Sequence, residues 1–288
     1  MNEQTDLARL DEEYCILMDV FWRVVNAGAG QKMTEDTRWL YETEALALKL
    51  LNHLATIWYL LHGTRFPVVS GAARECVDYS SISVLVRAAF ETYLGYYYIY
   101  SDTQASIDER KLRHSIWRLG GLLDRQRLTC ISSRHAPVLE DDKKVVAGIL
   151  SQIENNPAYM SLDSSKQKEA RKGNWRLHCT WYDLAEIAGF DRPVFKDIYR
   201  YFCSYAHSGG WSILQISQAI SQKDQWRLAV HAKYYGAMLM AHFVLSYVEL
   251  FTDRKSLLIA NARAAEIAHS RALTWKEPGF RKTFDSNE

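Results

Sequence analysis

Residues 79–101 read "YSSISVLVRAAFETYLGYYYIYS". Apolar and aromatic side chains cover this segment on nearly every side of a 3.6-residue period, where a surface helix would show a single stripe. The pattern predicts a buried central helix, and a helix buried all round needs other helices to cover it. The flanking sequence supplies them. Leu7–Val25 carries Leu10, Tyr14, Leu17, Met18, Phe21, Val24 and Val25 on one stripe. A second helix is expected from a cap at Thr34 through Leu40, Leu50, Leu54 and Leu61 to a stop at Gly63. A charged amphipathic helix follows over about 106–128, and shorter helical patterns cover 175–187 and 191–206. Asp191 and Pro193 open the last of these, and the "SGG" at 208–210 ends it. Two more are expected over about 226–251 and 255–272.

Residues 131–174 hold Pro137, Pro157 and the run "DSSKQKEARKGN", and are expected to form a polar excursion with short helices. The tail 273–288 is expected to be frayed. No alternating strand pattern of useful length and no internal repeat occur. The expectation is an all-α, multi-helix single domain spanning 1–288 with its core at about 34–272. Low glycine and proline counts, 14 and 5 in 288 residues, agree with long uninterrupted elements.

A formal net charge of +1 gives no global field toward nucleic acid or membranes, so any such binding has to be local. Five cysteines, odd in number and without a C-x-x-C pair, indicate neither a disulfide framework nor a zinc knuckle. The acidic, polar start "MNEQTDLARLDEEY" does not read as a signal peptide, and the apolar run Tyr235–Val248 is too short to span a bilayer. A reducing, cytoplasmic setting without membrane attachment is the expectation. The nine histidines include no H-x-x-x-H pair, and neither a glycine-rich phosphate loop nor a G-x-S-x-G elbow occurs, so no metal or cofactor is expected.

Within the central helix the only charged side chains are Arg87 and Glu91. Four residues apart, they can pair directly, and a guanidinium with five donors calls for further polar groups from other helices. The best supplier is "YRYFCSYAHSGGW" (199–211), where Arg200 and His207 lie seven residues, or about 700°, apart and share a helix face. Ser204 sits between them, Tyr201 and its aromatic neighbours flank them, and Gly209 and Gly210 are expected to relieve the helix end. The run "ERKLRHSIWRLGGLLDRQR" (109–127) is either a solvated face or a basic surface. A buried salt-bridge network that fixes helix register is the structural alternative to a catalytic site.

Arg200-x6-His207 near the end of a helix resembles the R-x(4–6)-H signature of the HEPN superfamily. The layout of "RAAFE" (87–91) followed by "W…LAEIAGF…IYRYFCSYAHSG" (181–209) is similar to a bacterial family of unknown function that is itself HEPN-like, over roughly residues 40–250. The resemblance implies a helical core, often homodimeric, with arginine and histidine facing a cleft shared between protomers. It further implies metal-independent endoribonuclease chemistry of the toxin or phage-defence type, with an antitoxin or defence-system partner. His207 would be general base or acid at the ribose 2′-hydroxyl, and Arg200 would stabilise the pentacoordinate phosphate. A polar residue often follows the arginine in that family. Here it is Tyr201, which donates a hydrogen bond but carries no charge. Silent members of the superfamily leave a non-catalytic interaction or ligand-sensing module as the alternative.

Overall fold

The computed structural model describes residues 3–66, 74–129 and 135–272. The chain is all-α, with a two-stranded antiparallel hairpin as its only sheet among these residues. The helices are α1 (Glu3–Asn26), α2 (Glu42–Leu61), α3 (Tyr79–Tyr96), α4 (Ile107–Gln126), α5 (Ala136–Glu154), α6 (Pro157–Met160) and α7 (Ser164–Arg171). They continue as α8 (Trp181–Ile187), α9 (Arg192–Ala206), α10 (Gly210–Gln218), α11 (Gln222–Leu250), α12 (Lys255–Ile259) and α13 (Ala262–Arg271). The hairpin pairs β1 (Thr64–Phe66) with β2 (Arg74–Cys76) and joins α2 to α3. Three-residue strands are too short to leave a period-2 signal in the sequence.

The core lies where α1, α2, α3, α9 and α11 meet. Phe21 of α1 stacks on Phe243 of α11 at 4.3 Å between ring centroids, and the Tyr14 hydroxyl donates to the Leu54 carbonyl at 2.8 Å. The α1–α11 approach depends on Gly236, because a Cβ there would lie 2.6 Å from the Tyr14 hydroxyl. Phe90 of α3 contacts Phe190, Phe195, Phe202 and Tyr235, which ties the central helix to α9 and α11. Leu10, Tyr14, Leu17 and Phe21 are fully buried, so α1 is part of this core.

The central helix runs as expected from Tyr79, capped by the Asp78 carboxylate on Ser81 N–H at 3.0 Å. Its last turn widens into a π-helix, Tyr97–Ser101. Arginines of α4 bind the carbonyls there: Arg113 donates to Tyr98 at 2.7 Å and Arg110 to Tyr100 at 2.9 Å.

Three expectations are corrected. Thr34 does not cap α2, because its backbone N–H and hydroxyl bond the Thr37 hydroxyl at 3.0 and 2.9 Å, closing a separate turn before α2 starts at Glu42. Most of the described polar excursion is built of helices, and α5 is 19 residues long. Its Ile149 and Ile153 pack with Leu112, Ile116 and Leu119 of α4 in a second apolar cluster, which Trp175 joins to the first. The last helix is broken, because Asn261 caps α13 through a bond from Ala264 N–H at 3.0 Å. The tail 273–288 lies outside the described residues. Among the described residues no single helix is long and apolar enough to cross a membrane.

Candidate functional site

The site forms where α3 passes the C-terminal half of α9. Arg87 Nε donates to Glu91 Oε1 at 3.0 Å, the i,i+4 pair expected from the sequence. The convergence demanded by the guanidinium comes from α9. Arg87 Nη1 lies 3.1 Å from His207 Nε2, and the Tyr199 hydroxyl donates to Glu91 Oε1 at 2.5 Å. The Arg87 guanidinium also stands 5.6 Å from the centre of the Tyr199 ring. The pair is half-buried, with 22% of the Arg87 and 28% of the Glu91 side chain exposed. It therefore sits at the edge of the helix-helix seam, and water reaches both charges.

An arginine can only donate, so His207 Nε2 accepts and the ring proton of the neutral imidazole is on Nδ1. Burial disfavours the charged guanidinium, but the Tyr199 hydroxyl and the Glu91 carboxylate outweigh it and hold Arg87 more firmly protonated than usual. Burial, followed by the bond to Glu91, pushes the Tyr199 phenol well above its ordinary range. Cys203 lies on the same side of α9. Burial pushes its thiol up and Arg87 pulls it down, so the cysteine is not poised as a thiolate.

His207 caps the C-terminus of α9 at φ −114° and is exposed. The residue that turns the chain is Ser208, at φ 51°, rather than either glycine of "SGG". Gly209 serves a different purpose. A Cβ there would lie 2.7 Å from Ser204 Oγ, so glycine allows the chain to fold back against α9. "SGG" then opens α10 instead of ending the helical segment, with Gly209 as its N-cap residue.

The other expected residues are placed as follows. Ser204 is committed to α10, where its hydroxyl accepts from Ser212 N–H at 3.1 Å. Tyr201 is partly buried, with its ring 5.3 Å from Trp211. Arg200 is exposed and makes no hydrogen bond or ion pair with the described residues. The structure thus gathers Arg87, Glu91 and His207, adds Tyr199, and leaves Arg200 exposed on α9 outside their hydrogen bonds. Tyr199, Cys203 and His207 recur every four residues, and this i, i+4, i+8 stripe was the available signal for the face that meets α3.

On its other side Tyr199 helps line a cleft of about 310 Å³ with Arg176, His178, Cys179 and Trp181. Leu177 and His178 are consecutive non-glycine residues in the left-handed region there, at φ 48° and 76°. Among the described residues no group of three or more His, Cys, Asp or Glu side chains could hold a metal ion.

The basic run on α4 is largely paired within the chain, in part by ion pairs at the surface. Arg110 and Arg113 bind the π-turn, Arg118 and His114 share Glu42, Arg125 pairs with Asp142 and Arg127 with Asp124. That leaves Lys111 without a carboxylate among the described residues, too little charge for a nucleic-acid track on this helix.

Comparison with protein-family models, curated proteins and solved structures finds no match for this chain.

Proposed function

We propose that the α3–α9 site binds and cleaves RNA without a metal, as the HEPN-like resemblance of the 199–211 stretch implies. The carrying observation is the exposed His207 imidazole held at 3.1 Å by Arg87, with the unpaired Arg200 on the same helix. A cation held at the imidazole, with a second exposed on the same helix, suits a phosphodiester, whose transition state gains negative charge on its non-bridging oxygens. In the proposed reaction a phosphate oxygen draws Arg87 away from His207. The freed Nε2 then takes the proton of the ribose 2′-hydroxyl, and O2′ attacks phosphorus. The P–O5′ bond breaks, leaving a 2′,3′-cyclic phosphate and a 5′-hydroxyl, with the imidazolium or water protonating the leaving oxygen. Glu91 and Tyr199 act through Arg87 as positioning residues.

The proposal includes a toxin or phage-defence role in the cytoplasm. Expression in a host cell should arrest growth, and His207→Ala should remove the arrest. A growth arrest that persists in that variant overturns the enzymatic reading. A second reading, a non-catalytic interaction module, is favoured by the apolar outer face of α10.

A further inference from the structure

The turn between α7 and α8 carries backbone strain. Leu177 and His178, at φ 48° and 76°, adopt a left-handed conformation that glycine would take without steric cost. The surroundings hold them there. Leu177 is buried in the α4–α5 cluster, its N–H donates to the Asn174 carbonyl at 3.1 Å, and the Cys179 N–H donates to the Arg176 carbonyl at 2.8 Å. Asn174 is fixed in turn by two bonds to Glu169, at 3.0 and 2.9 Å. As a result Leu177 is buried while Arg176 and His178, on either side of it, line the cleft of about 310 Å³ beside Tyr199. Strain that the surroundings enforce points to a shape the turn has to keep.

The lining of the cleft selects its ligand. Trp181, Tyr182 and Tyr199 supply aromatic rings, the two tyrosines standing perpendicular at 5.9 Å. Among the described residues no carboxylate lines it. The carboxylates of the adjoining turns are taken, Glu169 by Lys172 and Asn174, and Asp183 by Thr180 and Arg192. The Arg176 guanidinium lies over the Trp181 ring, 5.0 Å from its centre, and makes no hydrogen bond or ion pair with the described residues. Its five donors are therefore unspent, and stacking on the indole already orders them for an anion such as a phosphate. Aromatic walls take a planar ring, and the volume lies at the lower end of small-ligand sites, the size for one nucleotide.

We infer that this cleft holds one unpaired nucleotide of single-stranded RNA, its base against Trp181 and Tyr182 and its phosphate on Arg176. Tyr199 is the wall shared with the α3–α9 cluster, because its ring borders the cleft while its hydroxyl binds Glu91. Tyr199 and His207 are eight residues apart, about 12 Å along α9, so the cleft and the proposed scissile phosphate are spanned by a few nucleotides of one strand. This placement rests on the proposed RNA cleavage, and it names the substrate class. A base inside a duplex is paired and stacked and cannot reach these walls, so the site takes single strands, loops and bulges. Stacking accepts every base, so sequence preference is weak.

Fluorescence anisotropy of a labelled oligouridylate on the full-length His207→Ala chain reads binding without turnover. The single strand should bind more tightly than its duplex with oligoadenylate, and more tightly than uridine 5′-monophosphate used as competitor. Adding Trp181→Ala should weaken binding about 10- to 100-fold, the loss of one base stack. Trp181 also packs on Trp175 at 6.1 Å, so Arg176→Gln is the variant that spares the fold. It should weaken binding about 10-fold and lower the salt slope by about one. Lys144→Gln, on the exposed side of α5, should bind like the background chain. The inference is overturned if the single strand does not bind, if the duplex binds as tightly, if folded Arg176→Gln binds unchanged, or if Lys144→Gln weakens binding as much. Uridine 5′-monophosphate binding as tightly as the RNA overturns the RNA placement in favour of a free nucleotide. Cleft-dependent RNA binding by a chain that never cleaves RNA removes the proposed activity and leaves the cleft assignment standing. Cleavage by the parent chain with binding that ignores Trp181 and Arg176 does the reverse.

Discussion

Replacing Glu91 by alanine tests how much the charged cluster stabilises the α3–α9 seam. The carboxylate accepts two bonds, from Arg87 Nε at 3.0 Å and from the Tyr199 hydroxyl at 2.5 Å. Bonds to a charged acceptor contribute about 1.5–3 kcal/mol each in buried surroundings. The exposure of both charges reduces this, because water partly replaces the carboxylate at Arg87, which also keeps its contact with His207. Tyr199 is more deeply buried, so its hydroxyl loses its carboxylate acceptor and keeps the Arg87 side chain as a polar neighbour. The expected loss is about 2 kcal/mol, below the 3 kcal/mol or more that a fully buried pair would cost. Tyr199→Phe should cost about 1 kcal/mol, and the double variant less than the sum by about 0.5 kcal/mol or more, because both changes remove the same bond. Urea unfolding gives these values from the midpoint shift at constant slope. A loss under 0.5 kcal/mol for Glu91→Ala, or strict additivity with Tyr199→Phe, would refute the geometry of the cluster.

Two further effects follow from the fold. The Thr180 hydroxyl and backbone N–H, with Arg192, hold the Asp183 carboxyl down to about 2. Because this value lies below the unfolded ~3.9, the stabilisation is complete above about pH 4 and disappears as the pH falls toward 2. With a third of the side chain exposed it amounts to about 1 kcal/mol, so Asp183→Asn should flatten the acid limb of the stability curve. An unchanged limb would mean that the cap on α8 contributes nothing. Gly120→Ala would place a Cβ 2.5 Å from the Gly173 carbonyl, backbone against backbone, and should lower stability by about 2–3 kcal/mol by thermal or urea unfolding. A neutral result would show that the 173–177 turn can shift away from α4.

The buried central helix was legible in the sequence because an all-round apolar pattern is a strong signal, and so was the need of Arg87 for partners. Position was harder to read. The same "SGG" that looks like a stop lets Ser208 take the left-handed turn while Gly209 starts a new helix, a choice made by the Ser204 and Ser212 hydroxyls. α10 leaves little signal in the sequence because its outward apolar residues follow no core-facing stripe. α5 was obscured by Pro137, which a helix tolerates in its first turn. The pairing of Arg200 with His207 assumed an ideal helix through residue 207. The backbone departs from helical geometry at that residue, and the imidazole meets Arg87 instead.

The most direct test of the proposed activity is to incubate the purified full-length chain with mixed RNA in excess chelator and to analyse the ends of the products. The account predicts 2′,3′-cyclic phosphate ends, formed at rates about 10²- to 10⁴-fold lower with folded His207→Ala. RNA that stays intact with the parent chain, or cleavage by His207→Ala at the parent rate, would contradict it.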